Sequence, residues 1–267
     1  MIWSTRGSAC DKAAAAFYDP DRLAPGAAQS DVNGDIAHSA CGAETMKPGH
    51  SAQADYQMGR ALLAKQDVKG ARQQFELAVA KSYRAALLDL ADLLVNSPAA
   101  VPDPERAVSL YENAWRDGVL IAAFKLGRLY EDGSAVSKAA PQIKLPPDTA
   151  KAWSWYQKGA DAGEPNALAR FAERDDHAAV AQSDSSKKNA FLLRAFRYYA
   201  AAAERAHDED WPDEAWRHWR YRRATLARLL AREGAMQQVA DEYSRIRAQW
   251  APKPPTLLET MEAKLHL

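Results

Sequence analysis

The sequence predicts an all-α, right-handed solenoid of antiparallel helix hairpins, and three observations carry that prediction. The first is register. Ala71, Ala107 and Ala152 are each followed four residues on by an aromatic residue (Phe75, Tyr111, Tyr156) and eleven on by a small one (Ser82, Gly118, Gly163). Fifteen residues after the alanine come Ala86, Ala122 and Ala167, with Leu90, Leu126 and Phe171 one helical turn later. The second is spacing: the leading alanines lie 36 and then 45 residues apart, a period with room for two helices per unit. The third is composition. Alanine is abundant, while glycine and proline fall mainly between helical stretches, which favours helices over strands.

Taken in order, residues 1–50 form a helical head. Ser8 caps a first helix running through Phe17, which Asp19-Pro20 ends, and a second helix covers roughly 33–43. Residues 51–173 hold the repeats. The strings ADYQMGRALLAKQD from Ala54 and AAFKLGRLYEDG at 122–133 are first helices of hairpins. The longer second interval is absorbed by residues 134–148, SAVSKAAPQIKLPPD, a proline-bearing loop insertion. Residues 174–267 are a degenerate continuation. Ala195, Tyr199 and Ala203 mark a second helix, and Leu226, Ala227 and Leu230, in RRATLARLLAREG, a first helix. Between them DEDWPDEAWRHWRY requires a lengthened helix or an extra turn, and a short capping helix falls near 256–265. About four to five hairpins result.

The pattern has a steric reason. Alanine and glycine at fixed places let antiparallel helices approach closely, and the aromatic residue fills the space between successive hairpins. A single hairpin cannot cover its own apolar face, so stacking is obligatory.

Ala107, Tyr111, Ala114, Gly118, Ala122, Leu126, Gly127, Tyr130 and Gly133, then Ala152, Tyr156, Gly159, Gly163, Ala167 and Phe171, resemble the Sel-one-like repeat, a relative of the tetratricopeptide repeat. The resemblance covers residues 52–173 well and the C-terminal third loosely. It implies a protein-binding scaffold. The head, ACDKAAAAFYDPDRLAPG followed by DIAHSAC, resembles a module that precedes such repeats in bacterial proteins, often exported ones, with AAQSDVNG as the departure. By spacing alone Cys10 and Cys41 fit either two reduced thiols or one bridge. The resemblance, which places the two cysteines on neighbouring helices, implies a Cys10–Cys41 disulfide pinning the end of the solenoid.

Bulk properties bound the function. The 267 residues are 47% hydrophobic and 26% charged, with 35 basic against 35 acidic residues. That neutrality speaks against a nucleic-acid partner. No apolar run reaches membrane-spanning length, so no membrane insertion is expected. MIWSTRGSACDK lacks the apolar core of a secretory signal, which leaves two locations: cytoplasmic, or periplasmic and secreted with the signal not part of this sequence.

No chemistry announces itself. The six histidines form no HExxH or His-xxx-His pair, and His38 with Cys41 and Cys10 lacks a fourth metal ligand. HDED at 207–210 reads as capping of the helix after Pro212 rather than as a cation loop. Phosphate-loop, dinucleotide and GxSxG motifs are absent, so no catalytic residue, cofactor or metal is assigned.

The expected partner is another protein or peptide. In solenoids of this kind the first helices line the concave side, and the position two after the recurring leucine (after Met58 in the first copy) selects Arg60, Asp92, Arg128, Glu173 and Arg228, a mixed-charge row suited to a polar protein surface. A second candidate face is Trp216, Trp219, Arg220 and Arg223, readable as an aromatic–cationic surface or as tryptophans packed into the solenoid. The preferred function is a non-catalytic periplasmic or surface adaptor. The alternatives are an immunity-type inhibitor of an enzyme or toxin, and a cell-wall hydrolase.

Overall fold

The computed structural model describes residues 7–96, 103–133 and 145–250. The predicted helix at 256–265 and most of the 134–148 insertion lie outside the described residues. Among the described residues the chain is helical throughout, with an isolated bridge between Ala16 and Ala27 and no strand.

The head begins at α1 (Ala9–Ala14), where Ser8 and Asp11 form a reciprocal capping box. This helix is shorter than the sequence predicted. At Ala15 the backbone turns extended, with φ −61° and ψ 140°. Residues 15–22 then run as a strap before a 3-10 turn at Gln29–Asp31 and α2 (Gly34–Thr45), capped by Asn33. Cys10 and Cys41 join α1 to α2 as a disulfide with Cα atoms 4.6 Å apart. Both cysteines are fully buried, in a small cluster with Ala14, Val32, Ala37 and Ala61.

Hairpins follow as α3 (Ala52–Ala64) with α4 (Val68–Ala80), α5 (Arg84–Asn96) with α6 (Pro104–Arg116), and α7 (Ile121–Asp132) with α8 (Thr149–Asp161). Then come α9 (Pro165–Val180) with α10 (Ser185–Asp208), and α11 (Asp213–Arg232) with α12 (Met236–Trp250). The odd-numbered helices from α3 onward are the first helices. In the irregular C-terminal stretch, α10 and α11 are both lengthened, to 24 and 20 residues. The expected acidic cap before α11 is not made. Pro212, which has no side-chain acceptor, occupies the N-cap, while Glu209 accepts from Trp211 Nε1 and pairs with Arg205.

Each junction between hairpins repeats one turn. Tyr83, Val119, Glu164 and Trp211 donate their backbone N–H to Ala78, Ala114, Gly159 and Ala206, the six-to-one bond of a Schellman motif. The preceding residues, Ser82, Gly118, Gly163 and Asp210, are all left-handed. The small residues eleven after the alanine are therefore helix-ending residues, as the sequence indicates.

The glycine register is tight, with one correction. A Cβ on Gly127 of α7 would lie 2.3 Å from the Tyr156 ring of α8, and one on Gly59 of α3 would lie 2.5 Å from Phe75 of α4. The aromatic residue thus packs on the glycine inside its own hairpin as well as serving the stack. Gly159 brings α8 against α7 and α9: its Cβ would meet Ala123 and Ala167.

Candidate functional site

Successive first helices are tied by one ion-pair rung at each step. Arg60 of α3 faces Asp89 of α5 at 3.9 Å, and Lys125 of α7 donates to Asp92 of α5 at 2.7 Å. Arg170 of α9 donates to Glu131 of α7, and Arg222 of α11 holds Asp176 of α9 with two nitrogens. The second helices lock two of these acids. Tyr111 donates to Asp92, and Tyr156 to Glu131 at 2.7 Å. Burial opposes charge on Lys125, yet the Asp92 carboxylate overrides it and holds the ammonium above its ordinary range.

This geometry corrects part of the predicted stripe. Arg60 is completely buried and cannot meet a partner. Its Nη1 donates to Ala14 O at 2.8 Å, its Nη2 to Ala27 O at 2.9 Å and its Nε to Gln29 at 3.1 Å, so it brackets the head onto α3. Asp92 is half-buried in its rung. Arg128 is exposed and pairs with Asp132, Glu173 is half-buried and pairs with Arg170, and Arg228 is exposed, reaching only Thr225. The second candidate face divides likewise. Trp216 and Trp219 are buried and belong to the core. Arg220 lies over the Trp216 ring and pairs with Asp213, while Arg223 donates to Glu204. Cys10 and Cys41 are spent on each other.

The strap is the feature sequence reasoning missed. It runs along the starts of α5, α7, α9 and α11. Tyr18 donates to Asp89, Tyr83 donates to Asp19 at 2.6 Å, and Arg84 grips both oxygens of Asp21. At the far end Arg22 donates to Glu209 O at 2.6 Å, and the Phe17 ring meets Trp211 at 4.7 Å between centroids. Two clefts remain beside Phe17 and Tyr18. One, about 480 Å³, is walled by Leu63, Leu93 and Ile121 with Asp89, Asp92 and Lys125. The other, about 280 Å³, lies toward Leu120, Pro165, Glu164 and Trp211. Burial pushes the carboxyls here upward: Asp19 to about 6 and Glu164 to about 7, with Asp89 and Glu209 also raised. The one advance signal was the cysteine pair, which must fold the head back on itself.

Fold and register define the class, an α/α-hairpin repeat protein whose first helices share one face. Within it Gly59 and Gly127 seat the aromatic of the next helix, and the left-handed turns fall at the recurring small residues, a register that resembles the Sel1-like pattern. The chain is similar to the crystal structure of a Sel1 repeat protein from Oxalobacter formigenes, with 16% identity and a TM-score of 0.44 over 81% of this chain and 96% of that one. It is also similar to c5321, described as a protective antigen present in uropathogenic Escherichia coli strains displaying an SLR fold, with 17% identity and a TM-score of 0.41 over 79% of this chain. The match spans 48% of the c5321 chain. No family profile and no curated protein sequence matches the chain. The fold class stands on the helix order and register themselves.

Proposed function

We propose that the chain is a non-catalytic protein-binding scaffold whose partner engages the first-helix face. The observation that carries this reading is the cleft of about 480 Å³ on that face, with aliphatic and aromatic walls and a few fixed polar groups, the usual make-up of a recognition site. Arg128, Glu173 and Arg228, still accessible on the same helices, supply a polar rim. The buried Cys10–Cys41 bridge suits an oxidising compartment, so the reading extends to a periplasmic or surface-exposed adaptor.

The test is capture of the partner from envelope extract with the wild-type chain, then titration of that purified partner against Arg128→Glu/Glu173→Arg. Both substitutions lie outside the core and leave the helical spectrum unchanged. Affinity reduced at least about tenfold supports the face. Unaltered affinity moves the partner elsewhere on the molecule.

A further inference from the structure

We propose that the strap of residues 15–22 is an intramolecular ligand of the first-helix face, and that the external partner displaces it with a segment of the same chemistry: adjacent aromatic residues followed by carboxylates. This rests on the scaffold reading and specifies what the face recognises.

The strap is bound as a peptide is bound. Its polar side chains meet matched groups of the repeats, Tyr18 on Asp89, Asp19 under Tyr83, Asp21 on Arg84 and Arg22 on Glu209 O. Its first aromatic, Phe17, rests on Trp211. Tyr83, Glu164 and Trp211 occupy the same position in three of the four inter-hairpin turns, so the strap crosses equivalent points of several repeats. The starts of α5, α7 and α9 face it, and helix N-termini favour acidic residues such as Asp19 and Asp21.

The strap also fits its site incompletely. Space of about 480 Å³ and about 280 Å³ stands open on its two sides. Asp89, Glu164 and Glu209 beneath and around it, and Asp19 within it, are buried with raised affinity for protons, the mark of carboxylates short of solvation. A ligand that filled the clefts would bind the same face better. The strap is held at both ends, by Arg60 on Ala14 O before it and on Ala27 O after it and by the pairing of Ala15 and Ala16 with Ala27, so Phe17–Arg22 can lift as a loop while the head stays fixed.

The probe is a synthetic, fluorescently labelled peptide AAFYDPDRL, the sequence of Ala15–Leu23, titrated by anisotropy. The proteins are the wild-type chain, Phe17→Ala/Tyr18→Ala, and Asp21→Arg, which loosens the strap at an exposed ion pair and keeps the test valid if the double variant does not fold. An occupied site lowers apparent affinity by the fraction of molecules that are open. The expected result is binding to the strap-loosened variants at least about tenfold tighter than to wild type, lost when the peptide's Phe and Tyr are replaced by Ala. Equal binding to wild type and loosened variants, or none to either, overturns the proposal. Capture of a partner by the wild-type chain is a separate readout, so this failure is distinguishable from failure of the scaffold reading.

Discussion

The rung at α3–α5 and the rung at α9–α11 join neighbouring first helices by the same means, an arginine and an aspartate, yet they live in different media. Arg60 is fully buried, and its partner Asp89 is nearly so. Arg222 and Asp176 keep side-chain exposures of 36% and 13%. What differs is the cover. The head closes over the first rung, and no described segment closes over the last. One repeat element is therefore core at one end of the solenoid and surface at the other. Its energetic weight follows the cover rather than the residue type, because charge separated from water is costly unless every donor is used.

The sharpest way to break the comparison is to remove each arginine. Arg60→Ala leaves the buried Asp89 with Tyr18 but without its facing cation and strips hydrogen bonds from Ala14 O, Ala27 O and Gln29, so it should cost about 3–5 kcal/mol. Arg222→Ala removes a partly solvated pair and should cost about 0.2–1 kcal/mol. Urea denaturation of both variants checks the ratio. Similar losses would mean that the head does not seal the α3–α5 end.

The disulfide asks the same question of the cover itself. Cys10→Ser/Cys41→Ser should lose about 2–4 kcal/mol through the freed unfolded chain, and loosening should concentrate in the head, read by faster amide exchange at Ala37 and Ala61 than at Leu226. Thiol titration of the unreduced, denatured wild type should find no free thiol.

Much of this architecture was legible in the sequence because it is periodic. The left-handed positions Ser82, Gly118 and Gly163 and the glycine–aromatic contact at Gly127 and Tyr156 follow from small residues returning in step. Arg60 was not legible. The rule that selected it treats every copy alike, whereas its burial depends on Ala14, Ala27 and Gln29, thirty or more residues away in a segment outside the repeat. The helix expected to reach Phe17 failed for a related reason. Local propensity in AAAAFY favours helix, but tertiary pairing of Ala15 and Ala16 with Ala27 draws the chain out and sends Phe17 and Tyr18 across the repeats.

Within the periodic part, two glycines sharpen the contrast between contact and open surface. Gly127→Leu should destabilise by roughly 1–3 kcal/mol, since Tyr156 is fully buried and has no room to yield. Gly42 in α2 has nothing within 4 Å of its Cβ direction, so Gly42→Ala should be neutral or stabilising by up to about 1 kcal/mol. Thermal melts of the two variants should move in opposite directions. An unchanged melting temperature for Gly127→Leu would mean that the glycine does not seat the ring.

The smallest predicted effect compares carboxyls under the strap with those in water. Asp19 and Glu164 are buried, and desolvation raises them to about 6 and about 7 from ordinary values of 3.8 and 4.5. Such a group keeps its proton in the folded chain at a pH where the unfolded chain has lost it. Stability is then fully present below the ordinary value and declines as pH rises to the raised one. The exposed acids behave oppositely. Hydrogen bonding from Lys65 lowers Asp35, and the backbone N–H of Lys151 lowers Asp148, so their contribution is lost only as pH falls below the ordinary carboxylate range. Between pH 5 and 7 the exposed pair is flat while the buried pair slopes downward. His218, lowered by burial, slopes upward in the same interval, and a difference measurement cancels it. Wild type minus Glu164→Gln should therefore show a melting temperature that falls by roughly 2–4 °C from pH 5 to 7. Asn166 and Ala167 donate to different oxygens of Glu164, so glutamine removes the titrating proton and keeps one of the two bonds that cap α9. Parallel curves for the two proteins would show that Glu164 is solvated and that the strap leaves the start of α9 uncovered.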